Sequence, residues 1–412
     1  MSEKLIGACI IGQSGGPTSV INASAYGAIM AGLAADEITT VLGADHGITG
    51  VLADKLYDMG KEDPAELALL KNTPSSELGS CRYKLADPDV DDTDYKIILD
   101  VFKKHNVRYF FYNGGNDSMD TCNKISRYME KSGWECRVMG IPKTIDNDLF
   151  GTDHCPGFAS AAKYIATSLM EVSKDSQVYP TGQVTIVEVM GRHAGWLAGS
   201  AAVGTRFGAG PDLVYLPETD FDMDTFLADV EKVYNEKHNC LVAVSEGAHF
   251  ADGTFVSEAA TSATDGFGHA QLGGLAARLA EAVKAKLNVK VRGIELSLLQ
   301  RCGAHLASAT DIAEAEMAGR IAVESAVSGI TGKMVAFERA EENGKYVCKT
   351  KLIDLADVAN AEKKVPMEWI TPSHNFVTDE FIDYVLPLIQ GTPEYVTESS
   401  LPRYAKLKKV RA

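Results

Sequence analysis

Leu5-Ile6-Gly7-Ala8-Cys9-Ile10-Ile11 runs without a charge into Gly12-Gln13-Ser14-Gly15-Gly16-Pro17-Thr18, and the small residues of Val20–Ala34 follow. A short apolar run reads as a buried strand, the glycine-rich stretch as a tight turn, and the rest as a helix. The same order recurs along the chain. Arg108–Tyr112 predicts a strand, Asn113-Gly114-Gly115 a turn, and Met119–Lys131 a helix with apolar positions at helical spacing. Arg137–Ile141, Gln183–Val189, Asn239–Val244 and Lys290–Leu296 predict further strands, the last preceded by a helix over Leu272–Leu287. This alternation specifies an α/β chain of parallel βαβ units with helices on both faces. In such sheets ligands bind beyond the carboxyl ends of the strands, so the loops that follow them should hold the chemistry.

The 412 residues carry 40 Lys and Arg against 56 Asp and Glu, a net charge of −16, which argues against a general nucleic-acid or anionic-membrane binder. The hydrophobic share of 45% supports a large core, and the length suggests two or three domains, with a composition shift near Gly151–Pro156 as the boundary. The eight cysteines form no CxxC pair and no zinc-spaced cluster, so free thiols in a reducing cytoplasm are expected. The uncharged stretch Leu5–Ala35 is interrupted by Gln13–Ser19 and reads as neither a membrane span nor a signal peptide, although Ala23-Ser24-Ala25 mimics a cleavage site. Met59–Tyr95 reads as loops and short helices, and the basic Lys406–Arg411 as a solvated tail.

Three loops stand out. In the first, the glycines at 15 and 16 before a helix let backbone N–H groups approach an anion, with a ligand-free turn as the alternative; the sequence has neither a Walker P-loop nor a GxGxxG fingerprint. In Asn113-Gly114-Gly115-Asn116-Asp117-Ser118 the same design recurs, unless Asp117 or Ser118 serves only as a helix cap. In Pro142-Lys143-Thr144-Ile145-Asp146-Asn147-Asp148 two carboxylates sit two residues apart beside a lysine; if extended they point the same way, one to take a proton and one to hold a divalent cation, against the reading of an Asx-rich turn. Arg192, after the strand Gln183–Val189, offers a planar fork for phosphate, and Glu246 suits sugar hydroxyls or a structural cation. Arg292 and Arg301, with Gln300, fit a phosphomonoester clamp or a solvated face. His193 has no evident partner and reads as structural.

Gly15–Asn22 (GGPTSVIN), Gly79–Arg82 (GSCR), Gly114–Ser118 (GGNDS), Pro142–Asp148 (PKTIDND), Glu188–Arg192 (EVMGR), Ser245–Gly247 (SEG) and Leu298–Arg301 (LLQR) together resemble the phosphofructokinase family, in its order, over roughly the first 300 residues. The resemblance is closest to the pyrophosphate-dependent branch, because Asp117 and Lys143 stand where ATP-dependent members have glycine. Asp117 would crowd and repel the α-phosphate of ATP, and Lys143 would neutralise the phosphate leaving from pyrophosphate.

The resemblance implies two Rossmann-like three-layer domains with mainly parallel sheets. A donor domain spans residues 1–155, completed by part of 301–345; a sugar-phosphate domain spans 156–300; an extension, 346–412, is left unassigned. It implies transfer of a phosphoryl group from diphosphate to fructose 6-phosphate, with Mg²⁺, by a homodimer or homotetramer. By that resemblance Asp146 is the base, with Lys143, Asp117 and Arg192 completing the catalytic set. Gly16, Arg82 and Lys143 take the donor; Thr144, Ile145, Met190, Gly191, Glu246, Arg292, Leu298 and Arg301 take the sugar phosphate; Asn116 and Asp148 take the metal. The chain departs from the family's usual pattern at Asn116, where GGDDS has aspartate, at Gln183, where many bacterial members place an arginine, and at Leu298 and Cys302. An ATP-dependent enzyme and an inactive sugar-phosphate-binding subunit are the competing readings, and both Asp117 and the intact Asp146–Arg192–Lys143 set weigh against them.

Overall fold

The computed structural model describes residues 4–178, 180–257, 273–359 and 361–412. Its strands are β1 (Gly7–Gln13), β2 (Ile38–Ala44), β3 (Leu56–Asp58), β4 (Val107–Gly114), β5 (Arg137–Pro142), β6 (Gln183–Val189), β7 (Leu213–Tyr215), β8 (Asn239–Ser245), β9 (Val291–Glu295), β10 (Lys333–Glu342) and β11 (Lys345–Asp354). One sheet has the order β11-β10-β5-β4-β1-β2-β3, parallel from β10 through β2 with antiparallel β3 and β11 at its edges. A second, β7-β8-β6-β9, is parallel throughout, and Thr397–Glu398 and Leu401–Pro402 form a small antiparallel pair. Every residue of β1 and of β6 is buried, as a strand covered on both faces requires. Successive residues serve opposite layers: Ile10, Phe110 and Val138 pack into one core, and Cys9, Ile11, Phe111 and Met139 into the other.

The predicted strands all form, and Gln183–Val189 has the predicted bounds. Four long helices, Thr93–Lys104, Phe158–Ser176, Met223–Lys237 and Ala309–Val327, go beyond the sequence reading, as do β2, β7 and the β10–β11 hairpin. The helix expected from Leu272 forms over Leu275–Leu287; Leu272 itself lies outside the described residues. The small-residue helix Ile21–Ala34 is explained by its partner, Ala309–Val327. A Cβ on Gly319 would lie 1.9 Å from the Ser24 carbonyl oxygen, and one on Gly27 2.0 Å from that of Glu316, so glycine sets this close approach.

Residues beyond 345, unassigned from sequence, serve both units. β11 closes the first sheet, while Val365, Ile370, Phe381, Ile382 and Val385 enter the core around Phe158 and Trp196 in the second. The chain then returns to the first. Lys406–Arg411 is not a solvated tail: Glu62 accepts hydrogen bonds from the amides of Lys408 and Lys409, both at 2.7 Å, Val410 O accepts from Asp58 N, and Arg411 pairs with Asp45 at 2.8 Å. All eight cysteines are free. No helix among the described residues is long and apolar enough to cross a membrane.

A buried ionic clamp fixes the hairpin to the chain between the sheets. His154 is fully buried; its Nδ1 is 2.8 Å from Asp153 Oδ2 and its Nε2 2.7 Å from Glu314 Oε2. Arg339 donates twice to Asp153 and Tyr346 OH donates to Glu314. Burial pulls the imidazole down, but its hydrogen bonds to Asp153 and Glu314 more than reverse this, and the net shift is upward. A raised folded-state value stabilises fully below the unfolded value near 6.5, and that stability is lost as pH rises through the folded one. The urea midpoint of the wild type should therefore fall as pH rises above about 6.5, and His154→Gln should be less stable at about pH 6 with a flatter profile above it. Parallel profiles would show that His154 is not charged in the clamp.

Candidate active site

The turn after β1 is held by its own polar groups. Gln13 donates to Asn22 Oδ1 at 2.9 Å and accepts from Leu78 N, while Gly15, at φ 75°, donates to Cys81 O and accepts from Ser80 Oγ. These bonds bring Arg82 beside Gly16. A Cβ on Gly16 would lie 3.3 Å from Arg301 Nη1 and 3.6 Å from Arg82 Nη2, so the bare glycine leaves room in front of two guanidinium groups. Lys143, 3% exposed, donates through Nζ to Gly16 O at 2.6 Å and through its amide to Gly114 O at 3.1 Å. The loops after β1, β4 and β5 thus meet at one lysine.

The loop after β5 is not extended. Asn147 has φ 57°, a left-handed conformation that asparagine tolerates; its Nδ2 donates to Tyr384 OH at 2.9 Å and its Oδ1 accepts from Cys155 N at 2.9 Å. Thr144 Oγ1 accepts from Asp146 N. Despite the kink, Asp146 and Asp148 both line one cavity of about 610 Å³, together with Gly16, Arg82, Lys143 and Thr144. Asn116, Asp117, Ser118 and Asp120 form one wall, and Met190, Arg192, His193 and Glu246 of the second unit the opposite one.

The cavity is charged on all sides. Burial raises the Asp146 carboxyl, against the pull of Lys143, Arg192, His193 and Arg301. Burial, then Asp146 and Glu362, push Asp148 up to about 7, and burial with Asp146 pushes Glu246 up to about 7, although its Oε1 accepts from Gly191 N at 3.3 Å. Burial pushes Lys143 down to about 8, with Asp146 opposing and Arg82 reinforcing the shift. An anion before the Lys143–Arg82–Arg301 group and a cation beside the acids would relieve both sets of shifts. Asn116 Oδ1 is buried without a hydrogen-bond partner, and its Nδ2 is 3.4 Å from Asp148 Oδ2. A spare amide oxygen beside a carboxylate suits the hard oxygen ligation of Mg²⁺.

Other sequence candidates are placed differently. Ile145 packs into the second unit's core, and Gly191, at φ 131°, accepts from Ser245 Oγ behind the cavity wall. Gln300 accepts from Met190 N at 3.2 Å, which orients that turn. Arg301 sits beside the donor loop at Gly16. Arg292 is not brought to the main cavity: it lines a separate one of about 380 Å³ with Gln183 and Asp175, because β9 turns it to another face. Leu298 is exposed and outside the cavity. His193, expected to be structural, lines the cavity and pulls on Asp146. Glu362 from the C-terminal segment was missed, as was Lys84, 3.8 Å from Asp117.

The phosphofructokinase family model matches residues 8–326. The chain belongs to the phosphofructokinase family. A pyrophosphate–fructose 6-phosphate 1-phosphotransferase from Halomonas elongata is 44% identical over 403 residues, 97% of this chain and 96% of that protein. A sulfofructose kinase from Alkalicoccus urumqiensis is 35% identical, covering 87% of this chain and 91% of that one. The crystal structure of a pyrophosphate-dependent phosphofructokinase from Nitrosospira multiformis superposes with a TM-score of 0.89 at 37% identity, over 98% of both chains. Burial pushes the Lys143 ammonium down to about 8. The kcat/KM for a phosphate donor, which reports the free enzyme, should fall above that value, and Lys143→Arg should move the fall upward. An unchanged basic limb would separate it from Lys143.

Proposed function

We propose that this chain transfers a phosphoryl group reversibly between pyrophosphate and fructose 6-phosphate, giving fructose 1,6-bisphosphate and phosphate. The observation that carries the reading is the Lys143 ammonium on Gly16 O, under the influence of Asp146 and Arg82, in a cavity that Asp117 also lines. That corner suits a short, doubly charged donor, and the Asp117 carboxylate stands where a longer one would have to pass.

In this reading Asp146 takes the proton of the sugar 1-hydroxyl as the new P–O bond forms. Arg192 faces it from the second unit and stabilises charge on the transferring group. Lys143, Arg82 and the Gly16 turn bind the donor, and Lys143 neutralises the leaving phosphate. Thr144, Met190, Gly191 and Glu246 orient the sugar, and Arg301 reaches its phosphate from beside the donor loop. Asp148 and Asn116 would hold Mg²⁺, which would shield the donor's negative charge when bound. The first unit is then the donor domain and the second the sugar-phosphate domain. Arg292, in its own cavity, takes no part in this chain's cavity. A homodimer or homotetramer in the cytoplasm agrees with the exposed Leu298 and Leu299 near the β9 edge and with the free thiols.

Replacing the base tests the chemistry. Asp146→Asn should lower kcat by about 10²–10⁴-fold with little change in sugar binding. Near-normal turnover would remove Asp146 from the role. Donor choice is tested by kcat/KM for pyrophosphate and ATP in the wild type, Asp117→Gly, Lys143→Gly and the double variant. Lys143→Gly should depress pyrophosphate turnover by about 10²–10³-fold, Asp117→Gly should admit measurable ATP activity, and the effects should not add. A wild type that prefers ATP would overturn the donor reading.

A further inference from the structure

The segment after Ala361 crosses the back of the loop that bears Asp146 and Asp148. Glu362 pairs antiparallel with Leu149, and Lys363 N donates to Asp148 O at 2.7 Å. The Lys363 side chain turns inward. Its Nζ donates to Asp153 O at 2.6 Å, Thr152 O at 3.2 Å and Asn147 Oδ1 at 3.4 Å, and lies 5.0 Å from the Trp196 ring centroid. Trp196 Nε1 in turn donates to Lys363 O at 2.9 Å. Trp196 begins the helix that follows the Arg192–Gly195 turn, and Glu218 Oε1 ties that turn to the same segment by accepting from Gly195 N at 2.8 Å and Val365 N at 3.0 Å. One residue therefore grips the base-bearing loop of the first unit and the arginine-bearing turn of the second.

The charge needs a reason. A side-chain amide could crosslink carbonyl groups, whereas an ammonium bonded to neutral oxygens bears a desolvation cost. Here the positive charge stands behind Asp148 and Asp153, on the far side from the cavity. Lys143, Arg82 and Arg192 line the cavity; Lys363 does not, and its ammonium bonds instead to the loop, from behind.

We propose that Lys363 is a positioning residue for phosphoryl transfer: it holds residues 146–153 against the Arg192–Trp196 turn, so that Asp146 and Asp148 keep their places opposite Arg192. This rests on the roles given to those residues above. Tyr384 belongs to the same clamp, since its hydroxyl accepts from Asn147 Nδ2 and donates to Asp153 O at 2.6 Å.

The test uses the full-length protein with Lys363→Met, which keeps the apolar stem, and Tyr384→Phe, which removes one hydroxyl. Melting temperature, kcat and KM for both substrates are measured, and Mn²⁺ affinity is measured directly by electron paramagnetic resonance. Lys363→Met should lower kcat and Mn²⁺ affinity each by about 10–100-fold, with both KM values within about threefold. Tyr384→Phe should shift kcat in the same direction by about three- to tenfold. A folded Lys363→Met with kcat and Mn²⁺ affinity within about twofold of wild type, or with KM alone raised, would overturn the proposal. If that variant does not fold, Tyr384→Phe decides on kcat. Asp146→Asn is assayed beside them: if it is inactive while Lys363→Met is normal, only the positioning role fails, whereas an active Asp146→Asn removes the reading of the site itself.

Discussion

The Lys143 ammonium on the carbonyl of Gly16 is the contact on which the arrangement turns. It favours bare backbone at Gly15, which has φ 75° and where a Cβ would come within 3.3 Å of Nζ. It also requires the loop after β5 to lie against the loop after β4, which the bond from Lys143 N to Gly114 O secures. Burying the ammonium there is unfavourable, and Asp146 offsets only part of that. The ligand-free cavity thus holds cations that repel one another and carboxylates that do the same. A phosphate donor and a divalent cation would relieve both kinds of repulsion.

Features recorded in contiguous residues were legible in the sequence. Cys240–Val244 of β8 is an apolar run because both faces of its sheet are covered, and the loops at the ends of β6 and β8 carry the polar residues that an α/β site uses. Features made by distant residues were not. The helix Ala309–Val327 is mostly alanine and charged residues, with little contrast between its faces, and its place is set by Gly27 of Ile21–Ala34 and its own Gly319, where the two backbones meet. The basic tail looked solvated because its side chains are charged, yet its backbone is what binds Glu62.

Placements at the site that differ from the sequence reading have the same origin. Arg292 and Arg301 are near in sequence and suggested one clamp, but β9 directs Arg292 into a different cavity. His193 had no partner within its own segment because the group it acts on, Asp146, belongs to the other unit. Glu362 and Lys363 lie more than 200 residues beyond the loop they contact, and carbonyl oxygens such as those of Thr152 and Asp153 leave no signature in a sequence.

The connection between the units is itself part of the site. After Asp146 and Asp148 the chain passes His154 in its clamp and reaches Gly157, at φ 108°, where the helix Phe158–Ser176 of the second unit begins. Asp311, fully buried, accepts from Gly157 N, Ser160 N and Ser160 Oγ at 2.6–3.0 Å and so fixes the start of that helix to the helix Ala309–Val327. The chain crosses between the units in this stretch, again between β9 and the helix Ala309–Val327, and again beyond Ala361, and these crossings set where Asp146 and Asp148 lie relative to Arg192 and Glu246. Transfer between two bound substrates requires those groups to be held in register to within a fraction of an ångström. Residues 146–158 carry two of the cavity's carboxylates and lead into the second unit, and Lys363 bonds to them from behind, so the packing between the units and the placing of those carboxylates rest on the same contacts.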